Sequence, residues 1–181
     1  MSGKRRSTRQ SRLKKEIAEL RRIAFSRPNG SPFSNAEYLE IEHDSVVRAR
    51  VLLDCAMLEE AAAIIIMDHV LADCPKWHEI KYFGRIKRYQ VFYDDILGRV
   101  PARHKMLVVR KFIRVPKEIS HTAERMLALR DLFAHVRTLD YTRKQALNYK
   151  GQSILSKAGF ESYVGDSTDV VAFLIKKSGV L

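Results

Sequence analysis

The stretch from about Ala36 to Ala72 limits the fold more than any other part of the chain. It is helix-forming throughout and reads V-V-R-A-R-V-L-L-D-C-A-M-L-E-E-A-A-A-I-I-I-M-D-H-V-L over its central part. Apolar residues at this density cover more than one face of a helix, so the segment is expected to be buried on several sides, in a bundle core or at a dimer contact. Pro75 ends it, because proline lacks the donor and clashes with the preceding turn.

Further helical signals follow. Leu13, Ile17, Leu20 and Ile23 form a helical stripe in a basic segment. Residues Arg27 to Ser34, with two prolines and a glycine, read as a linker. Amphipathic segments run from about Trp77 to Leu97, closed by Gly98 and Pro101, and from about His104 to Ile113. Pro116 then precedes a helix expected over Lys117 to Thr138. Gly151, Gly159, Gly165 and Gly179 punctuate the last forty residues, where Ser167 to Lys177 reads as a short helix. No strand alternation of useful length precedes Thr142. The expected fold is all-α: an antiparallel four- to five-helix bundle with a basic N-terminal extension and a short C-terminal helical cap. Its parts are a tail, amphipathic helix and linker (1–34), the bundle (35–141) and a C-terminal extension packed on it (142–181).

Charge placement narrows the partners. The chain has 181 residues, 46% of them hydrophobic, and a formal net charge of +12. Residues 1–22 hold nine basic and two acidic side chains, a net +7 and more than half of the total. Such an arm gains affinity for phosphates by counterion release, and it reads equally as a solubilising tail. Cys55 and Cys74 have no disulfide or zinc-knuckle spacing, which suits a reducing, cytoplasmic setting. The longest apolar run, Ala61 to Met67, is too short to span a bilayer, and no secretory signal is recognisable.

The segment Met126 to Leu139, M-L-A-L-R-D-L-F-A-H-V-R-T-L, carries the chemistry. At about 100° per residue, Met126, Leu129, Leu132, Phe133 and Val136 share a core-facing side, with Arg130 on one flank. Asp131 and His135, four apart, lie on the other flank and within reach of each other. A carboxylate beside an imidazole favours the charged ring and holds one tautomer, as proton exchange near neutrality requires. Arg130 and His135 diverge by about 140° on one straight helix, so they would converge on one ligand across a two-fold axis. Arg99 and His104 have the same spacing but straddle Pro101, whereas Arg130 and His135 lie within one expected helix.

R-D-L-F-A-H resembles the signature of the HEPN superfamily, in which an Arg precedes a His by four to six positions on a late helix of a small bundle. The stretches V-L-L-D-C-A-M-L-E-E-A and F-G-R-I-K-R-Y are similar in kind to the earlier helices of the branch that includes mannitol-repressor-like proteins. The resemblance covers about residues 40–140. One departure is Asp131, where many members carry Asn. The resemblance implies a metal-independent endoribonuclease acting as a homodimer, in toxin, defence or RNA-processing roles. It implies that His135 exchanges protons with the 2′-hydroxyl or the leaving oxygen, that Arg130 stabilises the transition state, and that Asp131 orients His135 or lines the cleft. Partners of such proteins, such as an antitoxin or a nucleotidyltransferase, are often encoded separately.

Candidate RNA contacts are Arg125, Arg137 and Arg143, and also Lys81, Arg85, Lys87 and Arg88, which interleave with Tyr82, Phe83 and Tyr89. The alternative reading is a non-catalytic HEPN-like bundle that binds a partner protein or nucleic acid. No cofactor is expected. Cys74 with His78 lacks further metal ligands, and Asp94 and Asp95 point about 100° apart, so no metal is expected either.

Overall fold

In a computed structural model the described residues are 12–20, 34–71, 90–135 and 147–179. The chain divides into two compact units, Met1–Ser45 and Val46–Leu181. The protein is an all-α helical bundle, as the sequence predicts.

The first unit contains helix α1, residues 12–20, whose side chains are all exposed. Arg12 and Glu16, one turn apart, form an ion pair at 2.7 Å. The unit also holds the start of helix α2, Asn35–Val70. There Ser34 and Glu37 form a capping box. The Ser34 amide and hydroxyl both donate to Glu37 Oε2, and the Glu37 amide donates back to Ser34 Oγ.

In the second unit the rest of α2 is followed by a π-helical segment, Phe92–Ile96, and a 3₁₀ turn, Leu97–Arg99. Helix α3 spans Ala102–Phe112 and helix α4 Lys117–His135. Strands β1, Asn148–Tyr149, and β2, Gln152–Ser153, make a small antiparallel hairpin, after which helix α5 runs from Lys157 to Ser178.

Cross-helix contacts fix the directions. Arg48 Nη1 donates to the Phe133 carbonyl, and Cys55 Sγ donates to the Met126 carbonyl. Seven residues forward on α2 thus match seven back on α4, so the two are antiparallel. The Arg103–Asp131 and Arg110–Glu124 pairs show the same for α3 and α4. The consecutive small and aliphatic residues Ala61, Ala62, Ala63, Ile65, Ile66 and Met67 are all buried. These neighbours cover more than one side of α2, but upstream Val46, Leu52, Leu53 and Met57 are exposed, so the multi-sided burial expected for the whole segment holds only in its later turns.

Helix α5 differs from expectation. It is 22 residues long and starts ten residues before Ser167. Its N-cap is Ser156, whose hydroxyl accepts from the Gly159 amide. Tyr163, Val170, Val171 and Leu174 join the same core as Val51, Leu58 and Met126, so this helix is a wall of the bundle. Gly159 is no break: a Cβ there would lie 2.1 Å from the Ser153 carbonyl oxygen, so the missing side chain lets the helix abut the hairpin. Ser167, expected at the start of the helix, lies mid-helix, where its hydroxyl donates to buried Asp54 at 2.7 Å. Asp54 also accepts from Arg50 Nε at 2.9 Å. The hairpin turn places Lys150 and Gly151 at positive φ, as a two-residue hairpin loop requires.

Candidate functional site

The site is built on three helices. On α4 the buried apolar residues Ala123, Met126, Leu127, Leu129 and Phe133 describe an arc of about 160°. Arg130 falls inside that arc, not on its flank. Leu132, expected to face the core, is 37% exposed, while Leu127 is 1% exposed. The buried side is turned because α4 packs against α5 as well as α3 and is covered on two sides.

An arginine on the inner side of a helix needs carboxylates, since an unpaired charge is costly away from water. Arg130, with its side chain 28% exposed, has two. Its Nε and Nη2 donate to Asp131 Oδ1 at 3.2 and 3.0 Å. Its Nη1 lies 3.7 Å from Glu59 Oε2 on α2. Glu59 Oε1 accepts from Lys105 Nζ on α3 at 2.7 Å. Asp131 Oδ2 meets Arg103 Nη2, also from α3, at 3.2 Å. The result is one alternating chain of charges, Lys105–Glu59–Arg130–Asp131–Arg103, with three bases and two acids.

The acid expected to orient His135 is therefore shared between Arg130 and Arg103. His135 is the last residue of α4, and its side chain lies outside the described residues. So do Arg137, Arg143, Lys81, Arg85, Lys87 and Arg88. Arg125 is described, and it is exposed on α4.

Cys55 lies beneath the charge chain. Burial pushes its thiol up to about 12, against the opposing pull of Arg130, so it is a neutral packing residue and not a nucleophile near neutral pH. Among the described residues no cluster of three or more His, Cys, Asp or Glu has metal-binding geometry. Nor is any described helix long and apolar enough to cross a membrane.

Beside the charge chain, α3 and α4 enclose a cleft of about 590 Å³. Arg103, Arg110, His121 and Arg125 are among its lining residues, over an apolar floor that includes Met106, Leu107 and Leu127. Arg110 Nη2 donates to Glu124 at 2.6 Å. That hydrogen bond, with further attraction from His121 and Arg103, holds the Glu124 carboxyl below its ordinary range.

Sequence reasoning missed Lys105, Glu59, Arg103 and Arg110. For Lys105 a signal existed. Ala102, Met106 and Val109 form the buried stripe of α3, and Lys105 falls on it. A lysine on an apolar stripe implies a buried acid opposite. The others lie at ordinary surface spacing, and only the packing of three helices brings them together.

Compared with known proteins, the chain matches no family model, no curated protein and no solved structure.

Proposed function

We propose that this protein is a metal-independent endoribonuclease of the HEPN type, with Arg130 and His135 as its working pair. The observation that carries the reading is the setting of Arg130. It is half-buried, held from two sides by Asp131 and Glu59, and linked through Asp131 to Arg103, which lines a basic cleft. A guanidinium fixed in this way meets a phosphodiester without reorganising, which is how charge developing on a transition state is stabilised.

RNA supplies its own nucleophile in such a reaction. The 2′-oxygen attacks the adjacent phosphorus, the bond to the 5′-oxygen breaks, and the products are a 2′,3′-cyclic phosphate and a 5′-hydroxyl. The proton lost from the 2′-hydroxyl goes to a base, and the leaving oxygen takes one from an acid. His135 is assigned to one of these transfers. Arg130 and His135 diverge on a single helix, so the reading includes a homodimer in which two α4 helices face each other. The basic tail adds phosphate contacts, and a separately encoded antitoxin or other partner fits the same role.

One observation favours a second reading. Arg130 and Asp131 satisfy each other within one helix, and Glu59 and Arg103 complete the chain. Such a network also suits a purely structural role in a partner-binding bundle.

The test is incubation of purified wild type and a His135→Ala variant with cellular RNA in EDTA, with analysis of the product ends. Cyclic phosphate ends from wild type alone support the ribonuclease. No cleavage by a folded wild type, across several RNA pools, supports the partner-binding bundle.

A further inference from the structure

The cleft between α3 and α4 shares Arg103 with the Arg130 charge chain and otherwise has its own lining. Two ion pairs that bridge these helices, Arg103–Asp131 and Arg110–Glu124, stand seven residues apart on each helix. At 1.5 Å per residue that is about 10 Å. Between them lie Met106, Leu107, Leu127 and Ala128, which give the cleft an apolar floor.

Its rim is of opposite character. Arg103, Arg110 and Arg125 line it, with Glu124 as the opposing acid. Arg110 uses Nη2 on Glu124, while its Nε is buried and has no hydrogen-bond partner among the described residues. The volume of about 590 Å³ lies in the range of small-molecule sites. An apolar floor with a guanidinium rim matches a nucleotide unit, with an aromatic base that can be desolvated and a phosphate that needs planar donors. Arg103 lines the cleft and also holds Asp131, so the cleft is linked to the Arg130 charge chain through this one side chain.

We propose that the α3–α4 cleft is a subsite for one unpaired nucleotide of an RNA strand, its base over Leu107 and Leu127 and its phosphate held by Arg103, Arg110 and Arg125. This rests on the ribonuclease reading for the identity of the polymer and goes beyond it in placing a substrate contact outside the Arg–His pair. It also defines a selectivity: unpaired RNA enters the cleft, and a base held in a duplex does not.

The experiment is fluorescence anisotropy of the full chain with a short single-stranded 2′-O-methyl RNA, which cannot be cut. Arg125→Glu changes an exposed side chain, and Ala128→Phe fills the cleft without removing a charge. Both variants keep the basic tail, so a difference from wild type reports on the cleft. The expected result is at least about a tenfold loss of affinity in each, with the salt dependence shallower by about one phosphate contact in Arg125→Glu. Unchanged affinity in both folded variants overturns the subsite, whether or not ordinary RNA is cleaved. Competition by polyglutamate as strong as by unlabelled RNA overturns it as well. Cleft-dependent binding without cleavage of ordinary RNA sustains the subsite and rejects the ribonuclease.

Discussion

Lys105 Nζ on α3 lies 2.7 Å from Glu59 Oε1 on α2, with the lysine side chain 5% exposed and the glutamate 33%. The two ends of this pair are not equivalent. Glu59→Ala leaves an ammonium away from water, and we expect a loss of about 2–3 kcal/mol after allowing for the water that reaches Glu59. Lys105→Met replaces the ammonium with an apolar side chain on an apolar stripe and leaves Glu59 near solvent and Arg130. It should cost less than about 1 kcal/mol. Urea denaturation of the two variants measures the difference, and equal losses would contradict the asymmetry.

Arg130→Gln separates chemistry from architecture. The stem is kept, Asp131 retains Arg103, and Glu59 retains Lys105. Stability should fall by no more than about 1 kcal/mol, whereas RNA cleavage should fall about 10²- to 10³-fold, as on removal of a transition-state donor. Parallel thermal melts and cleavage rates test this. A variant that unfolds while its residual folded fraction keeps full activity contradicts the assignment.

Glycine-to-alanine changes in α5 should have opposite signs at two positions six residues apart. At Gly159 the added methyl meets the Ser153 carbonyl, and the helix and hairpin must separate, at a cost of about 1–3 kcal/mol. At Gly165 nothing lies within 4 Å, and alanine should stabilise by about 0.5–1 kcal/mol through helix propensity. Melting temperatures of the two variants decide it.

The core should resist alkali more than exposed tyrosines do. Burial raises the Tyr149 and Tyr163 phenols above the ordinary tyrosine range, and for Tyr149 the hydrogen bond to Asp166 adds to it. A raised folded pKa contributes stability that is complete below the ordinary value of about 10 and is lost as pH rises through the folded one. Ultraviolet titration should show these phenols ionising only with unfolding. Asp166 behaves in the opposite sense. Burial raises it, yet hydrogen bonds from Lys150 and Tyr149 outweigh that and hold it below its ordinary value. Its contribution is present above about pH 4 and is lost as pH falls through the folded value. Asp166→Asn should therefore flatten the acid limb of the stability curve, and an unchanged limb would count against the Lys150–Asp166 pair.

Much of the bundle was legible because burial leaves a pattern. The α2 run, the proline at 116 and the amphipathic 104–113 segment map onto helices within a few residues. The α5 start was hidden because Gly159 looks like punctuation until the approach of Ser153 is seen. The rotation of α4 was hidden for a related reason: a helix with neighbours on two sides has a wider buried arc than its leucines alone define, and Arg130 sits within it. The Arg130–Asp131 contact is not read from the sequence, which puts the two on opposite flanks; the long arginine side chain spans the step of about 100° between them. Glu59, Lys105 and Arg103 join it only through tertiary packing, which no local spacing encodes.

The most direct test of the central claim uses an oligonucleotide that is DNA except for one ribonucleotide, incubated with the full chain in EDTA. The account predicts a single cut, immediately 3′ of the ribonucleotide, leaving a 2′,3′-cyclic phosphate, and its loss in His135→Ala and Arg130→Gln. Cleavage that persists when the ribonucleotide is replaced by its 2′-deoxy form, or that survives both substitutions, would contradict it.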